Sequence, residues 1–204
     1  MYSSSINCPQ CGDAQALTFK HTKLTVCSSC GSTLFIEDEQ VRLAGKQSVL
    51  ADYPSLIQLN RSFTCHHDSY LPVGHIRYTY KLGYWDEWWV LDNSGEGKWL
   101  SVDEGDFVLE RPISIQSGIP NLALLALDQE YTILNQEWVV TELDRAKCIG
   151  FAGELPEIIE AGETYEYAHL SGLNGELLTL EFPENQAVRS YMGQWLDPYS
   201  IKVD

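Results

Sequence analysis

Two cysteine pairs near the N-terminus constrain this chain more than any other feature. Cys8 and Cys11 stand in Cys-Pro-Gln-Cys-Gly, and Cys27 and Cys30 in Cys-Ser-Ser-Cys-Gly. The spacing C-x2-C-x15-C-x2-C is that of a four-thiolate structural zinc site. Each short gap places two sulfurs on one tight turn, and Gly12 and Gly31 follow where the backbone has to fold back sharply. Two disulfides or a redox C-x-x-C are the alternatives for such spacing. The redox motif needs a cysteine at a helix N-terminus, whereas the glycine-led residues after Cys11 and Cys30 read as turns. The expected ligand set is therefore Cys8, Cys11, Cys27 and Cys30 around one structural zinc ion. Four thiolates complete the tetrahedron and leave no position for water, so such a site holds a fold together and does not hydrolyse anything.

The chain has 204 residues, 44% of them apolar, enough for a ribbon plus one larger or two modest units with a real core. No apolar run reaches the length of a membrane span. The opening residues lack the basic and apolar regions of a signal peptide. With zinc thiolates, this points to the cytoplasm, where Cys65 and Cys148 are expected as free, buried thiols. The net charge of −16 is unevenly placed. Residues 1–50 balance, while residues 51–204 carry 9 basic and 25 acidic side chains. Zinc ribbons often accompany nucleic-acid binding, but phosphate recognition needs clustered lysine and arginine. A body this acidic repels nucleic acid and anionic membranes. It suits cations or a basic partner, or simply solubility.

Residues 1–36 read as the ribbon, with 18–20 and 24–26 forming a hairpin and 34–36 a third strand. Residues 37–54 read as a connector closed by Pro54, with a short apolar stretch at Val41 and Leu43. Beyond it, short runs rich in β-branched and aromatic residues alternate with turn signals. Strands are expected at 73–80, 88–91, 98–101, 107–111, 138–143, 147–151, 177–182 and 189–193. Residues 93–97 and Asn174-Gly175 read as hairpin turns. The best helical stretch, 121–128, is short. A weak repeat aligns residues 56–64 with 124–132, and its offset of 68 also pairs Tyr70 with Trp138. The expected architecture is mainly β: a zinc ribbon followed by two small barrel-like or curled-sheet modules, 55–118 and 119–204.

Four of the six tryptophans, Trp85, Trp88, Trp89 and Trp99, fall within fifteen positions. In a strand, Trp85, Glu87 and Trp89 share one face, and Asp86, Trp88 and Val90 the other. Glu104 follows beyond a turn. Aromatic faces beside carboxylates suit an ammonium or guanidinium group through cation–π attraction and ion pairing. Trp85, Asp86, Glu87, Trp88 and Glu104 are therefore candidate ligand-binding residues. The plain alternative is that the rings fill the core and the acids face solvent. Cys65-His66-His67-Asp68 offers metal-capable groups, but neighbouring strand residues point apart, and a turn is the simpler reading. Gly153-Glu154-Leu155-Pro156 reads as a turn that can hold a buried acid. No nucleophile–base pair, open metal site, phosphate loop or dinucleotide fingerprint is visible, which argues against an enzyme.

Along the chain stand a ribbon, Trp85-Asp86-Glu87-Trp88, Trp99-Leu100-Ser101 with Glu104-Gly105, then Gly153-Glu154-Leu155-Pro156, Thr179-Leu180-Glu181 and Tyr191-Met192-Gly193. That order resembles the bacterial family known as domain of unknown function 4178, which often carries such a ribbon in front. The family has no established activity, so the resemblance supplies no catalytic residues. Its members are often encoded near polyamine-related enzymes and small membrane proteins, which implies a place in a larger system. The expected function is that of a non-enzymatic adaptor or assembly factor with a protein partner. The alternative is a binding module for a cationic metabolite such as a polyamine. Neither nucleic acid nor direct membrane insertion is expected.

Overall fold

The fold is taken from a computed structural model, which describes residues 2–203 except 38, 39, 45–47, 49, 52 and 185. In the ribbon, β1 (Ser4–Asn7) pairs antiparallel with β2 (Ala14–Leu17). Next, β3 (Leu24–Val26), β4 (Thr33–Glu37) and β5 (Gln40–Leu43) form an antiparallel three-stranded sheet. The expected hairpin between 18–20 and 24–26 is replaced by the β1–β2 pair. The reason is a long-range contact: the backbone N–H groups of Thr18 and Phe19 donate to the Glu154 carboxylate, at 2.8 and 3.0 Å, and are not free for a ladder. Val41 and Leu43, expected in the connector, belong to β5 and carry the ribbon's sheet beyond residue 36.

The body is built from two similar runs of strands. The first is β6 (Phe63–Cys65), β7 (Asp68–Thr79), β8 (Tyr84–Leu91), β9 (Gly97–Asp103) and β10 (Asp106–Ile113). The second is β11 (Glu130–Ile133), β12 (Gln136–Leu155), β13 (Thr164–Ser171), β14 (Glu176–Pro183) and β15 (Arg189–Leu196). A last strand, β16 (Ile201–Val203), pairs back onto β6. In each run a short strand makes a hairpin with a long one, and three more strands follow as a meander. The weak sequence repeat has a structural counterpart here. Phe63 faces Tyr70 across β6–β7, and Tyr131 faces Trp138 across β11–β12.

The two meanders do not form separate sheets. The first strand of each pairs with the other, β7 with β12, and so does the last, β10 with β15, both antiparallel. The order β7–β8–β9–β10–β15–β14–β13–β12 then closes on itself as an eight-stranded barrel. Closure leaves these strands no free edge. The halves expected at 55–118 and 119–204 thus each contribute four staves to one barrel. Residues 138–143 and 147–151, expected as two strands, lie in the single strand β12, whose register shifts at 140/142 and 148/150 absorb the bend. Strand β13 was not expected. The stretch 121–128 forms only a 3-10 turn at Leu122–Leu124, capped by the Asn121 side chain. The expected turn at 153–156 is the end of β12 instead.

Apolar clusters seat this barrel. On the outside, Ile57, Phe63, Tyr70, Trp88, Val90 and Leu100 pack as one layer. Ile133, Trp138, Val140, Leu170, Leu178 and Leu180 form its counterpart on the other half. Inside, Ile76, Trp89, Leu91 and Phe151 pack with Phe19 and Leu24 of the ribbon. The Phe19 ring meets Trp89 edge-on at 5.5 Å. The ribbon thereby stoppers the barrel end where β8 turns into β9, and apolar packing fills that part of the interior. Among the described residues, no helix is long and apolar enough to cross a membrane.

Candidate functional site

The ribbon brings all four predicted cysteines together. Their Sγ atoms lie within 4.8 Å of one another, with Cys8–Cys30 at 3.7 Å and Cys11–Cys27 at 3.8 Å. A tetrahedral ion with metal–sulfur bonds of about 2.3 Å puts its sulfurs about 3.8 Å apart, so the four thiols fit one metal ion. The separations of 3.7 and 3.8 Å are far too long for disulfide bonds. Each knuckle closes with a glycine N–H donating to the first cysteine's carbonyl: Gly12 to Cys8 at 2.8 Å and Gly31 to Cys27 at 2.9 Å. Both glycines are left-handed, with φ of 80° and 72°, which explains their place behind the second cysteine. Cys8 and Cys27 are buried and Cys11 is exposed, so one corner of the cluster reaches the surface.

The second site is the barrel interior. Away from the ribbon stopper, the inward positions turn from apolar to acidic and leave a cavity of about 80 Å³. Its walls are Trp85, Trp99, Tyr167, Tyr191 and Trp195, and its deep polar groups are Glu87, Glu110 and Glu181. These carboxyls come from β8, β10 and β14, and only barrel closure makes them neighbours. Gly193 makes room for one of them, since a Cβ there would lie 2.5 Å from Glu110 Cγ. Thr179 Oγ1 donates to Glu110 at 2.7 Å, and the Trp85 indole N–H donates to Glu87 at 3.0 Å. Glu181, its side chain 9% exposed, faces Arg189 at 3.5 Å, and Arg189 also pairs with Glu157 at 3.0 Å. At the mouth, Glu142 accepts from Tyr167 at 2.6 Å and pairs with His169 Nδ1 at 2.9 Å, while Tyr80 donates to Asp103 at 3.1 Å. The other Asp103 oxygen is buried without a partner.

Burial decides the charge states. It pushes Glu87 up to about 8, against the pull of the Trp85 bond, and Glu110 and Glu157 repel its negative form further. Glu110 is raised by burial too, although Thr179 pulls the other way. Glu181 is raised well above the ordinary carboxylate range by burial and by Glu87 and Glu157. At the mouth the balance reverses for Glu142, which the His169 hydrogen bond holds below the usual range. The result is an aromatic-walled cavity whose deep carboxyls are biased by burial toward their neutral forms.

Residues 58–198 match the family described as Domain of unknown function (DUF4178). The chain belongs to the DUF4178 family. No curated protein and no solved structure matches it. The matched residues run from just before β6 to just past β15, so they contain every stave of the DUF4178 barrel and leave the ribbon outside.

Of the five residues predicted to bind a ligand, the DUF4178 barrel brings two into the cavity, Trp85 and Glu87. Asp86 and Trp88 lie on the outer face. There Asp86 accepts from Arg77 at 2.7 and 2.9 Å and pairs with His75 at 2.8 Å, and His75 stacks flat on Trp88 at 3.8 Å. Burial opposes ionisation of Asp86, but the bonds from His75 and Arg77 outweigh it and hold the group below the usual range. Asp86 is thus fully engaged in the wall, while the Trp88 indole nitrogen beside it is buried without a hydrogen-bond partner. Glu104 sits in the exposed β9–β10 turn, with φ of 49°, and does not line the cavity. Glu110, Glu181 and Glu142 were missed. Each had a faint signal, an acid on the same face of a strand as its apolar neighbours, as in Leu177-x-Thr179-x-Glu181. Glu154 is buried, as its sequence context suggests, and it anchors the ribbon. His66 and His67 form the β6–β7 turn, with His66 left-handed at φ 54°.

Proposed function

We propose that the DUF4178 barrel is a container for a slender organic cation of the polyamine class, of which spermidine is the simplest probe. The observation that carries this reading is the convergence of Glu87, Glu110 and Glu181 inside one aromatic-walled cavity, with Arg189 as the only guanidinium beside them among the described residues. Carboxylates supply ion pairs for ammonium groups, and tryptophan and tyrosine faces supply cation–π attraction along an alkyl chain. A cavity of about 80 Å³ excludes a folded peptide or a nucleotide, and a thin chain would enter it end-on with the remainder in the mouth. Calorimetry with spermidine at moderate salt tests the reading. Saturable heat is expected, weakened at least tenfold by Trp85→Ala and by Glu87→Gln. The absence of heat, or binding indifferent to both changes, overturns it.

The ribbon's ion is read as zinc, because four thiolates in tetrahedral array favour a soft, closed-shell metal. Elemental analysis of protein purified under reducing conditions should give one zinc per chain. Such thiolates persist in a reducing compartment, which supports a cytoplasmic location. A non-enzymatic adaptor role is a second reading, favoured by the exposed Cys11 knuckle at the outer tip of a ribbon fixed to the barrel. Affinity capture from the native cell, with and without chelator, tests it. A protein partner lost on chelation supports docking through the ribbon.

A further inference from the structure

We propose that the barrel takes up its cation in exchange for protons: Glu87, Glu110 and Glu181 are held largely as neutral acids in the empty cavity, and an arriving ammonium group displaces their protons to solvent. The proposal rests on the reading of the barrel as a cation container and adds a mechanism to it.

The geometry requires some such exchange. Strands β8, β10 and β14 each aim a carboxyl at the same small space. Against them β15 supplies one guanidinium, Arg189, and that group is shared with Glu157 from the end of β12. From β13, His169 is engaged by Glu142 at the mouth, and β9 adds Asp103 there, another acid. From β7, β13 and β15 come Tyr78, Tyr165 and Tyr191, whose phenols burial holds neutral at any ordinary pH. Three anions in a dry tube with a fraction of one cation is a prohibitive arrangement, so protons take the place of the missing cations. Burial raises all three groups, and repulsion by other acids adds to it for Glu87 and Glu181, in agreement with that count.

The exchange balances simply. A carboxylic acid and an alkylammonium ion become a carboxylate–ammonium pair and a released proton, with no bond other than O–H broken. Arg189 does not yield the proton, since a guanidinium stays charged throughout the ordinary pH range and this one also pairs with Glu157 at 3.0 Å. The ligand does not absorb it, since its amines are already protonated near neutral pH. The ribbon stoppers the other end with Phe19 against Trp89, so the proton leaves by the mouth, past the Glu142–His169 pair.

The test titrates the full metal-loaded chain with spermidine at pH 7 in phosphate and in Tris, which differ in ionisation enthalpy. The expected result is a buffer-dependent heat equivalent to about one proton or more released per spermidine. Affinity should rise about tenfold per pH unit between pH 6 and pH 8 for each proton exchanged. Glu87→Gln should flatten that slope, and Glu110→Gln serves if the first variant does not fold. Binding with no buffer dependence and no pH slope overturns the exchange and leaves the container reading intact. Absence of binding defeats both. An independent reading needs no ligand: the infrared C=O band of protonated carboxyl groups should be present in the empty protein at pH 7 and diminished in Glu87→Gln. Its absence from the wild-type protein overturns the proposal.

Discussion

Glu87 is the side chain at which fold and ligand compete most directly. It shares its strand with Asp86, one residue away, yet the two acids live opposite electrostatic lives. Asp86 is wedged between Arg77 and His75 and stays ionised, whereas Glu87 faces other acids inside the barrel and keeps its proton to about pH 8. Strand alternation fixed that they would face opposite sides, and placed Trp85 with Glu87, but not which side would hold the cavity, because both faces of β8 are apolar and aromatic. A stability effect follows. The folded protein holds the Glu87 proton more tightly than the unfolded chain does, where it leaves near 4.5. Between those values the native state binds more protons, so the stability of the empty protein falls as pH rises from about 5 to about 8. Thermal denaturation across that range should show a declining midpoint in wild type and a visibly shallower decline in Glu87→Gln. An unchanged slope would place the titration elsewhere.

At the scale of the element, β12 joins everything. Its start pairs with β13, its middle closes the barrel against β7, and its end pairs with β3 of the ribbon through Glu154 and Leu155. Gly153 permits the close passage. It is left-handed at φ 73°, and a Cβ there would lie 2.2 Å from the Val73 carbonyl oxygen. One residue on, the Glu154 carboxylate accepts from Thr18 N, Phe19 N and Thr22 Oγ1, at 2.8, 3.0 and 2.8 Å. Hydrogen bonds to a buried charged acceptor contribute more than neutral ones, and their loss strands two backbone donors. Glu154→Ala should therefore cost about 3 kcal/mol or more of stability, read as a lower denaturant midpoint, while the metal content stays at one ion per chain. A shift within error of wild type would mean that the ribbon does not depend on this junction. The sequence marked Glu154 as a candidate buried acid but read its segment as a turn. A glycine and a proline on either side are turn signals locally, and the strand they interrupt is specified by partners far away in the chain.

As a whole molecule the protein joins a small head with a four-cysteine cluster to a larger barrel trunk. The ribbon's own apolar cluster is small, Cys8, Cys27 and Leu34 with a few half-buried neighbours, so an ion held by the four cysteines would supply much of its folding energy. The barrel has its own interior and two outer apolar layers. Chelation, or Cys8→Ser, should accordingly abolish slow amide exchange in residues 1–44 while β8–β10 and β13–β15 remain protected. Loss of protection throughout would show that the stopper around Phe19 is needed for the barrel to stand. The four-cysteine cluster was legible in the sequence, because only two residues separate the cysteines of each knuckle and geometry at that range is local. The mainly β class was legible too, from alternation and turn residues. Barrel closure was not, because nothing in either meander says which of its edge strands will meet the other meander, and that pairing is settled only when the outer faces of both are buried. The cavity followed the same rule: Glu87, Glu110 and Glu181 are remote in sequence, and their shared, water-poor space exists only once β7 has found β12 and β10 has found β15.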